Sequence, residues 1–283
     1  MTMANTSKPY AEVIGDPIAH SKSPLIHTFW LEQLAIDAGY RACHVRQDAL
    51  EAYFADRRRD PAWRGCNVTI PHKQAVQPFL GAVDTKAQAI GAVNTVFRGP
   101  DGTLTGTNTD VDGVADAVNI GVSGKGAAVV IGAGGAARAA FAQLATMGLS
   151  DVRVLARTVK KAQQAVSDCG LEARVIPFDQ GRVALAGASL VINATQLGMD
   201  GQPSMPRDVL NGVSVLDAGA LVFDMVYAPL ETELLKAARA KGLRTSDGLT
   251  MLIGQAATAF AHFFGADPPR DRDETLRNTL ILP

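Results

Sequence analysis

The stretch AAVVIGAGGAARAAFAQLATMGL, residues 127–149, decides the fold. A short apolar run ending in Val129, Val130 and Ile131 reads as a buried strand, and the alanine-rich segment behind the glycines has helical spacing. Between them Gly132, Gly134 and Ala137 stand in a GxGxxA arrangement. The first glycine allows a tight turn, the second lets the backbone approach a pyrophosphate, and the small residue at 137 lets helix pack on strand. The N–H groups that open the helix then face the phosphates. A plain strand-to-helix turn is the alternative; the strand before and the helix after favour nucleotide binding.

The end of the following strand bears on which nucleotide. An acid there would bind a ribose 2′-hydroxyl, whereas an arginine accommodates a 2′-phosphate. The chain has Ala156-Arg157-Thr158, then Lys160 and Lys161, and no acid before Asp168. A guanidinium with a hydroxyl beside it suits a phosphate monoester. NADP is therefore expected, with NAD the alternative and a solvated basic helix start the bland reading.

Composition excludes several other functions. The 283 residues are 47% hydrophobic and 19% charged, a globular balance with room for two domains. A net charge of -1, and no basic run longer than Arg57-Arg58-Arg59, argues against nucleic acid as the main partner. Cys43, Cys66 and Cys169 are scattered, so neither a disulfide framework nor a metal site is expected. The start MTMANTSKPYAEV has no basic region followed by an apolar run, and no segment reaches membrane-span length. A cytoplasmic protein acting on a small molecule, away from membranes, fits best.

Strand and helix patterns alternate along the chain, the signature of an α/β protein with parallel sheets. Strands are expected at YAEVIG (10–15), ACHV (42–45), Asn67 to Ile70 and NTVF (94–97), and a hairpin at FRGPDGTLTG (97–106). Helices are expected over Pro24 to Leu34, Ala49 to Arg57 and Asp110 to Val118. In the second part DVRVLAR (151–157), LVINAT (190–195) and VSVLDA (213–218) read as strands, and Leu249 to Phe264 as a helix returning to the first domain. Residues 1–109, completed by 247–283, then form an α/β substrate-binding domain, and 110–246 a Rossmann-type domain.

Polar residues cluster where strands of the first domain end. Ser21 and Ser23 precede Pro24, Thr69 and Lys73 bracket Pro71, Asn94 lies in GAVNTV, and Asp110 in GTNTD. Each has an ordinary structural explanation. Ser23 and Asp110 could be helix N-caps, Asn94 a turn residue, and Lys73 a solvated cation. Together they supply hydroxyls for a carboxylate, and an amide, a carboxylate and an ammonium for sugar-like hydroxyls.

SKSPLIH, NVTIPHK, AIGAVNTV, GTNTDVDG, VIGAGGAARA, INATQLGM, DMVYAPLETELL and DGLTMLIGQAATAF occur in that order over about residues 8 to 265. In these motifs the chain closely resembles the shikimate dehydrogenase family, which includes quinate/shikimate and aminoshikimate dehydrogenases. The resemblance implies two α/β domains with the active site in the cleft between them, and reversible reduction of 3-dehydroshikimate with NADPH. It implies Lys73 and Asp110 as the catalytic pair, and Ser21 and Ser23 as holders of the substrate carboxylate. Thr69, Asn94 and Gln255 would bind ring hydroxyls, and Tyr227 would help to close the pocket. Gly132, Ala133, Gly134, Gly135 and Ala136 would form the pyrophosphate loop, Arg157 and Thr158 the 2′-phosphate clamp, and Thr195, Met225 and Gly248 further cofactor contacts.

Three positions depart from the family pattern. Ala156 stands where NADP-binding members often have Asn, Gln196 where NATSxGM has Ser, and Thr250 at the second glycine of GLGML. A paralogue acting on quinate, aminoshikimate or a related ring acid is the first alternative. A nucleotide-binding regulatory protein without turnover is the second, and the presence of both Lys73 and Asp110 argues against it. Either a monomer or a homodimer is compatible with the sequence.

Overall fold

The structure, a computed structural model, describes residues 8–119 and 126–281. Its backbone divides into two compact units, Met1–Thr109 with Ala256–Pro283, and Asp110–Gln255.

The first unit contains β1 (Tyr10–Gly15), α1 (Ser23–Gln33), β2 (Gly39–His44), α2 (Leu50–Arg59), β3 (Trp63–Val68), β4 (Ala82–Val83), α3 (Thr85–Ile90), β5 (Thr95–Arg98) and β6 (Leu104–Thr107). The strands form one sheet in the order β2-β1-β3-β5-β6-β4. β1 runs parallel to β2 and β3, and the expected hairpin makes β5 antiparallel to β6, from Thr95↔Thr107 to Arg98↔Leu104. Trp63, Phe54, Val68, Val96 and Leu104 fill the core on one face of this sheet.

β3 ends two residues before the sequence predicts. Val68 is buried, Thr69 is half-buried, and Ile70 is 71% exposed. Pro71 has no N–H with which to continue the ladder, so the chain leaves the sheet there.

The second unit begins with α4 (Asp110–Val118) and continues through β7 (Ala127–Ile131), α5 (Gly135–Thr146), β8 (Val152–Ala156), α6 (Val159–Asp168) and β9 (Arg174–Pro177). Then come α7 (Gly181–Leu185), β10 (Ala188–Asn193), α8 (Arg207–Gly212), β11 (Leu221–Asp224), α9 (Glu233–Ala240) and β12 (Arg244–Ser246). All strands of this sheet are parallel, in the order β12-β11-β10-β7-β8-β9. Read from β7 outward, this is the doubly wound order of dinucleotide-binding folds, with its switch point between β7 and β10.

VSVLDA is not a strand. Val213–Val215 is a 3₁₀ turn that continues α8, and the strand is LVFD, β11, instead. Val209 and Val213, four residues apart, share a buried helical face, so the period is 3.6 and not 2.

The last helices are α10 (Gly248–Phe264) and α11 (Asp273–Ile281). The second half of α10 belongs to the first unit, as expected for a returning helix. There Phe260 and Phe263 pack around His27, and a Cβ at Gly65 would lie 2.5 Å from the Phe263 ring. Among the described residues no helix is long and apolar enough to cross a membrane.

Candidate active site

The loop after β3 carries His72 and Lys73 directly behind Pro71. His72 is fully buried, and its Nε2 donates to the Val45 carbonyl at 2.6 Å. It anchors the loop. Lys73, next in sequence, is half-buried, and its carbonyl accepts from Val93 N–H at 2.7 Å. Asn94 follows directly; its N–H donates to Thr107 O at 3.1 Å and its carbonyl accepts from Val68 N–H at 2.7 Å. The ends of β3 and β6 thus bring Thr69, Lys73 and Asn94 into one neighbourhood.

Asn94 is more than a turn residue. Its buried Oδ1 accepts from Thr109 N–H at 2.7 Å and from Thr95 Oγ1 at 3.0 Å. With that oxygen engaged, a ligand hydroxyl can be bound only through the Nδ2 donors. The network reaches further than sequence reasoning did. Tyr40 Oη donates to Asn67 Oδ1 at 2.6 Å, and Asn67 Nδ2 donates to Thr95 Oγ1 at 3.0 Å. Burial raises the Tyr40 pKa well above its ordinary value, which keeps the phenol a donor. Asn67 belongs to the NVTIPHK motif, whereas Tyr40 gave no sequence signal.

Ser21 and Ser23 flank Lys22 at the start of α1. Neither serine caps this helix: Lys22 occupies the N-cap position and no side chain caps it. Ser21 Oγ instead accepts from Ser23 N–H at 3.3 Å.

In the second unit Asp110 opens α4, and Gln255, on α10, is the last residue of that unit. Two glycines let these helices approach. A Cβ on Gly113 would overlap the Met251 carbonyl, and one on Gly254 would lie 2.6 Å from Asp116 Oδ2. Gln255 is half-buried and its Nε2 donates to Leu252 O at 2.9 Å.

The glycine turn has the predicted form. Gly132 has φ +104°, which only glycine adopts readily, and a Cβ there would lie 2.6 Å from Thr195 Cγ2. Gly134 is the N-cap of α5 and offers no capping side chain, and a Cβ at Gly134 or Gly135 would meet nothing within 4 Å. Open space over uncapped helical N–H groups fits a pyrophosphate. Arg157 and Thr158 follow β8 directly, and both are exposed. Ala156, where the family often has Asn, is buried.

Gly248 is pressed against Met225, since a Cβ there would overlap the Met225 carbonyl, and its N–H donates to Val226 O at 3.2 Å. Asp247 Oδ1 accepts from Leu249 N–H at 3.0 Å, capping α10. Tyr227, just beyond Met225, is 42% exposed. Thr195 is fixed by Asn193, whose Oδ1 accepts from Thr195 N–H at 3.1 Å and Oγ1 at 2.7 Å. Gln196 is exposed and Thr250 half-buried. Among the described residues no group of three or more His, Cys, Asp or Glu could hold a metal ion.

Three family models match the chain: shikimate dehydrogenase substrate binding domain over residues 13–96, shikimate / quinate 5-dehydrogenase over 118–199, and shikimate 5'-dehydrogenase C-terminal domain over 248–274. The chain is 51% identical to a shikimate dehydrogenase (NADP(+)) of Sphingopyxis alaskensis, covering 97% of this chain and 98% of that one. Its fold matches shikimate 5-dehydrogenase from Thermus thermophilus in complex with NADP(H) and shikimate. That match has a TM-score of 0.81 and 37% identity, over 95% of this chain and 99% of that one. It also matches quinate dehydrogenase from Corynebacterium glutamicum in complex with NAD, with a TM-score of 0.82 and 31% identity, over 96% and 99%.

Proposed function

The chain belongs to the shikimate dehydrogenase family, and from that premise we propose that it is an NADP-dependent shikimate dehydrogenase, reversibly reducing 3-dehydroshikimate to shikimate. The similarity to the Sphingopyxis alaskensis enzyme, 51% over nearly the full length of both chains, carries this reading. The enzyme serves the chorismate pathway of aromatic amino acid biosynthesis. We place it in the cytoplasm, as a monomer or homodimer, a setting that suits its three free cysteines.

The chemistry divides among the residues as follows. NADP, when bound, supplies the hydride acceptor or donor. Gly132 to Ala136 bind its pyrophosphate, Arg157 and Thr158 its 2′-phosphate, and Thr195, Met225 and Gly248 complete its binding residues. The Ser21 and Ser23 hydroxyls donate to the substrate carboxylate. Thr69, Asn94 and Gln255 bind ring hydroxyls, Asn94 as a donor because its oxygen is already engaged, and Tyr227 adds a further substrate contact. Lys73 donates to the reacting oxygen, polarising the carbonyl in one direction and moving the hydroxyl proton in the other. Asp110, the second member of the catalytic pair, accepts from a ring hydroxyl.

The test is absorbance at the nicotinamide band on mixing the protein with NADP⁺ or NAD⁺ and shikimate, quinate or aminoshikimate. Fastest turnover with NADP⁺ and shikimate is expected. Preference for quinate or aminoshikimate would assign the chain to a paralogous activity, with Gln196 and Thr250 the first residues to exchange. No turnover with any pair would leave a nucleotide-binding protein.

A further inference from the structure

Two fully buried polar residues, Asn193 and Asp224, face each other at the carboxyl ends of β10 and β11, in direct register. Asn193 Nδ2 donates to Asp224 Oδ1 at 2.9 Å and to Leu197 O at 3.3 Å. Its Oδ1 holds Thr195 from two atoms, and its carbonyl accepts from Met225 N–H at 3.0 Å. Asp224 Oδ1 also accepts from Val226 N–H at 3.0 Å, and its Oδ2 accepts from Thr232 Oγ1 at 2.7 Å. Thr232 in turn accepts from Leu235 N–H at 3.3 Å, capping α9. One closed network therefore joins the loop after β10, the loop after β11 and the start of the next helix.

A buried carboxylate is costly, and an apolar pair would serve two adjacent strands at least as well. What a carboxylate alone offers here is acceptance from three donors at once: Asn193 Nδ2, Val226 N–H and Thr232 Oγ1. An amide would turn a donor toward one of them. We infer that Asn193, Asp224 and Thr232 are positioning residues that lock the loops bearing Thr195 and Met225 into a single geometry for binding the cofactor. This rests on the proposed function, in which Thr195 and Met225 contact NADP.

The test is direct fluorescence titration of the full chain with NADPH, without substrate, alongside steady-state kinetics and thermal unfolding. Asp224→Asn should raise the NADPH Kd by roughly tenfold, as expected for a lost charge-assisted bond, and leave the KM for shikimate within about twofold. Thr232→Val, which removes both hydroxyl bonds, to Asp224 and from Leu235 N–H, and retains the side-chain shape, should move the Kd in the same direction, and Thr232→Ser should restore it. If Asp224→Asn does not fold, the two Thr232 variants decide. Folded variants with lower Tm but unchanged NADPH Kd would overturn the inference and leave the network a purely structural one. A wild-type chain that fails to bind NADPH would instead remove the functional reading beneath it.

Discussion

Gly113 of α4 lies so close to Met251 of α10 that a Cβ at position 113 would overlap the Met251 carbonyl oxygen and come within 3.0 Å of its Cγ. The contact is backbone against backbone, so no side-chain rotation relieves it. α4 begins with Asp110, and α10 carries Gln255 one turn beyond Met251. The spacing of these two candidate residues within the second unit is therefore set by a glycine.

Gly113→Ala separates two opposed effects. Alanine at an open helix position stabilises by about 1 kcal/mol, whereas overpacking a tight contact costs about 1–3 kcal/mol. The carbonyl cannot move independently of its helix, so the cost wins. Chemical denaturation should show net destabilisation, and kcat should fall as Asp110 shifts. A stabilised, fully active variant would contradict this account of the packing.

For the cofactor, Arg157→Ala should weaken NADP binding by roughly tenfold to a hundredfold, the loss of about 1.5–3 kcal/mol of charge-assisted bonding to a phosphate. NAD affinity should barely change. Calorimetric titration of both cofactors decides it, and equal weakening would show that Arg157 is not the 2′-phosphate clamp.

What was legible in the sequence was local. The glycine turn could be read because a positive φ, an uncapped helix start and a strand end are demands on consecutive residues. The family motifs likewise name Lys73, Asn94 and Asp110 as candidates, since each lies within a short consecutive run. The sequence reads VSVLDA as the strand because Val213 and Val215 alternate with Ser214, whereas Val209 and Val213 pack as a helical face and the strand is LVFD, β11. The Tyr40–Asn67 bond spans 27 residues and the Asn193–Asp224 bond 31. Such partners meet only through strand register, which no local pattern encodes.

The serines give a kinetic prediction. Ser21→Ala and Ser23→Ala should raise the KM for shikimate more than they lower kcat, because a carboxylate is remote from the reacting carbon. Normal KM in both variants would leave the carboxylate to other residues.

Two buried groups set opposite pH trends in stability. Burial lowers the His27 pKa from 6.5 to about 3, so the unfolded chain binds its proton first and stability is lost as pH falls from about 6.5 towards 3. Burial raises the Asp224 carboxyl from 3.8 to about 6, so the folded chain holds that proton longer, and stability falls as pH rises from about 4 to 6. Each slope is about 1.4 kcal/mol per pH unit, and between pH 4 and 6 they oppose each other. Denaturation midpoints of His27→Gln should therefore fall as pH rises through this window more steeply than those of the wild type. An identical pH profile would mean that His27 is not held neutral.

In the proposed reaction Lys73 moves the proton of the reacting hydroxyl. The most direct measurement is steady-state oxidation of shikimate by Lys73→Ala with NADP⁺, with far-ultraviolet circular dichroism confirming the fold. The expected result is a kcat lower by roughly 10²–10⁴-fold, the usual worth of positioned acid–base catalysis, with the KM for shikimate changed much less. Asp110→Asn should behave alike, and the double variant should be little worse than either single one, since the two act as a unit. A folded Lys73→Ala enzyme with near-normal kcat would contradict the account and return Lys73 to the role of a solvated cation behind a proline.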